Sequence, residues 1–235
     1  MKRYLVTGGT SGIGEAIVNV LQAHGSHVTV LARRTPEAAT FANVEYLSVD
    51  LSNQAATLKC LAHLKRNVDA YDGVVSNAGS GLFGQLENHD AIRISETVHL
   101  NLTSHILLAR ALLPGMKQRG SGTFLFMGSE ASITGAKNGA VYCATKFGLR
   151  GLAQSLRADA ASSGVRVCLV NPGMVDSPFF DELWFRPGQN TDQHLTVDDV
   201  ARTVWHILNA PQGVVIDEIT MSPQSKAVVF DRSKR

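Results

Sequence analysis

The pattern of apolar and polar residues switches between two periods along the whole chain. Short apolar runs predict buried strands, and stretches with apolar residues at i, i+3 and i+4 predict helices between them. The predicted strands are residues 4–6, 27–32, 44–49, 73–76, 123–127, 165–170 and 214–221. The predicted helices are residues 15–24, 54–65, 90–119, 142–161 and 198–208. Strands that alternate with helices in this way predict a doubly wound, parallel seven-stranded sheet with helices on both faces.

This alternation runs from end to end, so we expect residues 1–235 to form a single Rossmann-type α/β domain. Pro114 lies near the end of the longest helical pattern and predicts a bend or break there. The pattern is interrupted at residues 79–90 and 176–195. Beyond residue 222 it weakens, which favours a tail (residues 222–235) that is frayed or docked on a partner.

The segment 176–195 is long for a connection and rich in aromatic residues, with two prolines and a glycine that disfavour a continuous helix. Its aromatic residues are Phe179, Phe180, Trp184 and Phe185. They fit either ordinary core or a mobile substrate lid, and we predict the lid.

Composition excludes several classes of protein. Hydrophobic residues make up 44% and charged residues 18%, and the net charge is +2, which is too small to indicate a nucleic acid or a membrane as the main partner. No apolar stretch reaches the 18 or so residues of a membrane span, and no signal peptide is indicated. The three cysteines lack CxxC spacing and the eight histidines lack metal-ligand spacing. We therefore expect no metal site and a reducing, cytoplasmic location.

A glycine-rich turn joins the first predicted strand to the first helix. It reads Gly8-Gly9-Thr10-Ser11-Gly12-Ile13-Gly14. Glycines allow the sharp turn and a close approach of the backbone to a pyrophosphate, and the helix N-terminus adds N–H groups and a positive dipole end. The position between strand and helix favours dinucleotide binding over a merely structural turn.

The end of the second predicted strand indicates which dinucleotide is bound. An acidic residue there would bind a ribose 2′-hydroxyl, but the chain has Arg33 and Arg34. Guanidinium groups match the oxygens of a 2′-phosphate. We therefore predict that NADP(H) is preferred, with NAD(H) possible; the alternative is a solvated arginine pair on a loop.

A second set of residues indicates proton transfer. Tyr142 and Lys146 are one helical turn apart, and Ser129 follows the fifth predicted strand at the carboxyl edge of the sheet. A phenol can protonate a developing alkoxide, and we expect the charge of Lys146 to lower its pKa. Ser129 can donate a hydrogen bond to a substrate oxygen. Tyr-x-x-x-Lys alone is common by chance, so this prediction depends on the whole set.

Together these motifs resemble the short-chain dehydrogenase/reductase (SDR) family over residues 3–221. The resemblance implies that Asn101 is a fourth catalytic residue, which holds a water linked to Lys146. It also implies cofactor contacts by Tyr142 and Lys146 and by residues that follow several strands. Those residues are Asp50, Leu51, Asn77, Ala78, Gly79, Pro172, Gly173, Val175 and Ser177. The chain departs from the family pattern at Ser76, where an asparagine is usual, and at Gly128, where a serine is common.

The family resemblance implies reversible interconversion of a carbonyl and a secondary alcohol, with a small-molecule substrate that the sequence does not name. The C-terminal region is similar to the subgroup near 3-hydroxy acid and serine dehydrogenases. Family members are usually homodimers or homotetramers joined through the long helices. One rival is a non-catalytic NADP(H) sensor, which would not need Ser129, Tyr142 and Lys146. Another is an epimerase or dehydratase of the extended family, which usually has a larger C-terminal domain.

Overall fold

A computed structural model describes residues 1–36, 42–64, 71–231 and 233, and it contains one large parallel sheet. The strands are β1 (Arg3–Thr7), β2 (His27–Ala32), β3 (Val44–Ser48), β4 (Gly73–Ser76), β5 (Gly122–Met127), β6 (Val165–Pro172), β7 (Phe185–Pro187), β8 (Glu218–Met221) and β9 (Val228–Phe230). The α-helices are α1 (Gly12–Ala23), α2 (Gln54–Leu64), α3 (Ala91–Val98), α4 (Ser104–Arg119), α5 (Ala140–Ala160) and α6 (Val197–Leu208). Residue 65, the end of the predicted second helix, and residues 232, 234 and 235 of the predicted tail lie outside the described residues.

Seven strands form the sheet in the order β3-β2-β1-β4-β5-β6-β8, and every pair is parallel. An apolar cluster on one face holds residues of α2, α4 and α5, and a second cluster on the other face holds residues of α1 and α6. The central strands are buried on both faces, which explains their continuous apolar runs. The predicted doubly wound Rossmann fold is confirmed.

The long helical pattern is interrupted in a different place from the one predicted. Pro114 lies inside α4, which continues to Arg119, so the predicted break there is wrong. The Pro114 ring is exposed on the outer face, where α4 accommodates the loss of one N–H donor. The irregularity is instead a π-helical turn at His99–Thr103, between α3 and α4.

The C-terminal region also differs from the prediction. The seventh strand of the sheet covers Glu218–Met221 rather than residues 214–221, because its register with β6 begins only at Glu218. Over its described part, the tail is not frayed, because it contains a short strand. Its strand β9 pairs antiparallel with β7, with Phe230 opposite Phe185. The side chains of β9 remain exposed in this short ladder.

Within the described part of the chain, no helix combines the length and apolar character that crossing a bilayer requires. The same residues contain no cluster of three or more histidine, cysteine, aspartate or glutamate side chains that could hold a metal ion.

Candidate active site

The glycine turn after β1 has a backbone that requires glycine. Gly8 and Gly12 have φ values of 68° and 56°, in the left-handed region. A Cβ atom on Gly14 would clash with the carbonyl oxygen of Gly8. Ser11 is the N-cap of α1 but makes no side-chain capping bond, so its hydroxyl is available to a ligand together with the N–H groups of the first turn. The turn fits a pyrophosphate because its backbone can approach closely and a helix N-terminus opens onto it.

Residues of β1 hold a second loop against this turn. The Thr7 hydroxyl accepts hydrogen bonds from the backbone N–H groups of Asn77 and Ala78, both at 2.9 Å. The Asn77 side-chain amide donates to the carbonyl oxygen of Thr7 at 3.0 Å. The loop of residues 77–79 is therefore fixed beside Gly8, and the structure brings these two predicted cofactor segments together.

A buried histidine, which the sequence did not predict, also supports the loop of residues 77–79. His105 is 1% exposed; its Nδ1 lies 2.6 Å from the Ser76 hydroxyl and its Nε2 lies 2.9 Å from the carbonyl oxygen of Ala78. Burial, together with the charge of Lys146, lowers the pKa of His105 to about 3. The ring is therefore neutral at pH 7, so the Ser76 hydroxyl donates to Nδ1 while Nε2–H donates to Ala78. In the sequence, the contact with His105 is indicated by Ser76, which stands where the family usually has asparagine.

The residues predicted to bind the adenosine end lie after β2 and β3. Arg33 and Arg34 are exposed, and Leu51 is buried in the core. Asp50 accepts hydrogen bonds from the N–H (2.9 Å) and the hydroxyl (2.7 Å) of Ser52. Burial raises the pKa of Asp50, but the Ser52 hydrogen bonds and the charge of Arg33 outweigh it, so the net pKa is lowered. Arg33 and Asp50 therefore belong to one electrostatic site.

Ser129, Tyr142 and Lys146 come together at the carboxyl edge of the sheet. Tyr142 is 8% exposed, and the Ser129 side chain is close enough to act on the pKa of its phenol. Lys146 Nζ donates to the carbonyl oxygen of Met127 at 2.8 Å and lies 5.7 Å from the centroid of the Tyr142 ring. The helix α5 positions the tyrosine and the lysine on one buried face, and the end of β5 supplies the serine.

The pKa of Tyr142 differs from the sequence-based expectation. Burial raises it to about 12, and the Ser129 hydrogen bond offsets only part of that rise. The prediction that Lys146 lowers it is wrong for this structure, because the Lys146 ammonium is directed to Met127 and burial dominates. Burial lowers the pKa of Lys146 itself to about 8, so at pH 7 a charged lysine lies beside a neutral phenol.

Asn101 lies in the π-helical turn, fully buried beside this group. Its side-chain oxygen accepts from the N–H of Ser80 at 2.9 Å, and its amide nitrogen donates to the Ser80 carbonyl at 2.8 Å. A Cβ atom on Gly79 would lie 3.3 Å from Asn101 Oδ1 and 3.8 Å from Lys146 Nζ. The Asn101 side chain therefore fixes the loop next to Lys146. The resemblance had implied that Asn101 holds a water.

Asn171 contributes to the site without having been predicted. Its side-chain oxygen accepts from the N–H of Ser129 at 3.2 Å, and its amide nitrogen donates to Glu218 at 2.7 Å. Glu218 in turn forms an ion pair with Arg150 at 3.0 Å. This network fixes the backbone of Ser129. Its members are far apart in sequence, so no local motif indicates it.

The turn after β6 brings a third segment to the glycine turn. The Gly173 N–H donates to the Met221 carbonyl at 2.7 Å, and Val175 is buried. The Ser177 hydroxyl donates to the Val175 carbonyl at 3.3 Å, and its Cβ lies 3.6 Å from the position that a Cβ on Gly12 would occupy. The predicted Pro172–Ser177 segment thus lies next to the pyrophosphate turn.

Comparison with known proteins identifies the family of the chain. The short chain dehydrogenase family profile matches residues 2–186. An uncharacterised oxidoreductase of Staphylococcus aureus (strain N315) is 27% identical over 225 residues, covering 93% of this chain and 96% of its own.

Two solved structures are also similar over nearly their whole length. An alcohol dehydrogenase from the archaeon Thermococcus sibiricus, complexed with 5-hydroxy-NADP, has a TM-score of 0.85 at 26% identity, covering 97% of this chain and 99% of its own. The closed form of a serine dehydrogenase complexed with NADP⁺ has a TM-score of 0.84 at 28% identity, covering 96% of each chain. With the family profile matched over most of its length, this chain belongs to the short-chain dehydrogenase/reductase family of oxidoreductases.

Proposed function

We propose that this protein is an NADP(H)-dependent oxidoreductase that interconverts a carbonyl and a secondary alcohol, with Tyr142 as the general acid and base. The observation that carries the proposal is the placement of buried Tyr142 beside Ser129, with Lys146 on the same helix face and the glycine turn at the same edge of the sheet. The nicotinamide of NADP(H), when bound, supplies or accepts a hydride.

The side chains of the chain then carry the proton chemistry. The Ser129 hydroxyl donates to the carbonyl oxygen and polarises it. A neutral Tyr142, with its pKa raised to about 12, holds the proton that the developing alkoxide takes up during reduction. As that proton leaves, the interaction with the Ser129 side chain stabilises the phenolate. Alcohol oxidation uses the same groups in the reverse direction.

The proposed cofactor-binding residues lie along one continuous edge of the main sheet. Residues 8–14, with Thr10, Ser11 and Ile13 between the glycines, take the pyrophosphate. Asp50 and Leu51 flank the adenine, and residues 77–79 and 172–177 border the nicotinamide half. Two of the similar structures hold NADP or its hydroxylated form, which supports this assignment.

We propose that Arg33 and Arg34 select NADP(H) through the 2′-phosphate. Their exposure after β2 leaves both guanidinium groups accessible. Replacing both by alanine should weaken NADPH binding at least about a hundredfold while NADH binding changes little, because each charge-assisted bond contributes about 1.5–3 kcal/mol. An Arg202→Ala variant, exposed on α6, is the control. Equal affinity of the unmutated protein for both cofactors would contradict the assignment.

The function itself is tested with a panel of ketones, aldehydes and secondary alcohols, followed at the nicotinamide absorbance with NADPH and with NADH. We expect turnover of at least one carbonyl–alcohol pair, faster with the phosphorylated cofactor. Cofactor binding without turnover of any member would instead favour a non-catalytic NADP(H)-binding protein. We also propose a cytoplasmic homodimer or homotetramer.

A further inference from the structure

A set of aromatic rings surrounds the proposed proton donor. The Tyr142 ring lies 5.1 Å from Phe83 and 5.9 Å from Phe179, measured between centroids. Phe180 lies 5.1 Å from Phe179, and Phe185 lies 4.9 Å from Phe83 and 5.7 Å from Phe180. These five residues form the aromatic cluster. Its four phenylalanines are only half-buried, so apolar ring surface remains accessible next to the reacting hydroxyl.

The C-terminal tail holds the outer part of this cluster in place. Trp184 lies 5.3 Å from Phe185 and stacks on Phe230 at 5.4 Å with an interplanar angle of 17°. The Asp231 N–H donates to the Trp184 carbonyl at 2.8 Å, and the ladder between β7 and β9 adds further pairing. The aromatic cluster is therefore built and supported by parts of the chain that are distant in sequence, and their contacts fix its shape.

The charge next to the catalytic serine is negative. Glu130 follows Ser129 in the chain. Its carboxylate lies next to Gly173, since a Cβ atom added to that glycine would be only 2.9 Å from it. The carboxylate accepts hydrogen bonds from Ser222 and Lys226 of the tail, the latter as an ion pair of 3.2 Å with a lysine that is 71% exposed. Because the two charges of this pair offset each other and solvent screens them, the edge beside Glu130 does not attract an anionic substrate group.

We infer, on the basis of the proposed function, that the substrate is an uncharged ketone or secondary alcohol that carries an aryl group beside the reacting carbon. A flat apolar ring matches the half-buried phenylalanines, since aromatic pairs favour tilted and offset contacts. In the reduction, the carbonyl carbon accepts a hydride from NADPH and the C=O π bond breaks. The oxygen takes the Tyr142 proton, so the ketone is reduced and NADPH is oxidised.

Specificity constants test this substrate class. We expect kcat/KM for the reduction of acetophenone to exceed that for 2-butanone and for benzoylformate (a carboxylated aryl ketone), and kcat/KM for the oxidation of 1-phenylethanol to exceed that for L-serine, each by roughly tenfold or more. Phe179→Leu keeps an apolar side chain but removes the ring, so it should lower kcat/KM for acetophenone about tenfold and change that for 2-butanone less than about threefold. Leu58→Ala, on the exposed face of α2, is the control and should leave both values unchanged.

A binding measurement gives a readout independent of turnover. The chain has two tryptophans, and Trp205→Phe leaves Trp184, in contact with Phe185, as the single reporter. Titration with 1-phenylethanol in the presence of NADPH should change Trp184 fluorescence saturably, and 2-butanol at equal concentration should not.

The outcomes separate the two proposals. If 2-butanone or benzoylformate is reduced better than acetophenone, or L-serine is oxidised better than 1-phenylethanol, the substrate class is wrong and the oxidoreductase function stands. An equal loss for all ketones in Phe179→Leu would show a merely structural ring and also overturn the substrate class. If Trp184 responds to 1-phenylethanol but no carbonyl or alcohol is turned over, the aryl site stands and the proposed function fails. Silence in both measurements overturns both.

Discussion

At Gly128, the requirement for glycine comes from a neighbouring side chain. A Cβ atom there would clash with the Asn171 side-chain oxygen, which accepts the Ser129 N–H. The sequence showed Ser129, Tyr142 and Lys146 because their spacing is local. It did not show Asn171 or His105, because their partners lie on other strands and helices. The same limit applies to the pKa of Tyr142, which is dominated by burial, a property of the whole fold.

Restoring the serine that the family often has at position 128 should therefore harm this protein. We expect Gly128→Ser to lower the free energy of unfolding by about 1–3 kcal/mol, since overpacking displaces Asn171. Turnover should fall as well, because the Ser129 backbone loses a partner. Denaturant unfolding and steady-state kinetics measure both effects, with Gly135→Ser as the control at a glycine that has no neighbour within 4 Å. Wild-type stability and activity in Gly128→Ser would refute this account of Asn171.

Lys146 gives a prediction about stability and pH. Its folded-state pKa of about 8 lies below the ordinary value of 10.5, so above pH 8 the unfolded chain holds more protons and the folded state gains stability as pH rises. Between pH 8 and 9.5 this gain should amount to about 2 kcal/mol.

The Lys146→Met variant lacks this titration. Its free energy of unfolding, measured by urea denaturation, should therefore fall by about 2 kcal/mol relative to that of the wild type between pH 8 and 9.5. Lys59→Met, exposed on α2, controls for the loss of a lysine. A difference between wild type and Lys146→Met that is constant with pH would contradict the buried, depressed lysine.

At the scale of elements, the strands of the main sheet were predicted well because each is a continuous buried apolar run. The two short strands β7 and β9 were not predicted, since three-residue strands leave little local pattern and their pairing joins distant segments. The π-helical turn at His99–Thr103 was missed for a similar reason: its apolar pattern blends with those of the flanking helices. The pair of short strands and the π-helical turn all border the candidate site.

Strand β7 lies within the predicted lid, residues 176–195, so its pairing with β9 affects the mobility of the lid. We expect amide hydrogen exchange in this segment to be faster than in β5 and to slow when NADPH and a ketone bind. A variant that ends at residue 224 lacks β9, so exchange at Phe185–Pro187 should rise while β5 stays unchanged. Complete protection before binding, with no further change, would mean that the segment is core rather than a lid.

At the scale of the whole molecule, the sequence predicted the doubly wound fold and the family because chain order alone places each motif after its strand. Assembly is harder to predict, since a dimer face looks like any partly apolar surface. Phe147 is 45% exposed on α5, with exposed Ala144 and Gly151 at helical spacing, and Ile106 is 40% exposed on α4. This apolar face supports association through the long helices.

We therefore predict that the wild type is a dimer or tetramer and that Phe147→Glu shifts it towards the monomer, because a carboxylate would be buried in the interface. Size-exclusion chromatography with light scattering measures the mass directly. Leu58→Glu, on exposed α2, should leave the mass unchanged. A monomeric wild type would refute assembly through this face.

The Tyr142→Phe variant tests the central claim most directly, with NADPH affinity and ketone turnover measured on the same preparation. We predict NADPH affinity within about threefold of wild type and turnover reduced at least about a thousandfold, because the ring still packs but the proton donor is gone. Tyr46→Phe, which removes a phenol hydroxyl on β3, should retain full activity. Turnover by Tyr142→Phe within about tenfold of wild type, a barrier change of only about 1.4 kcal/mol, would contradict the account.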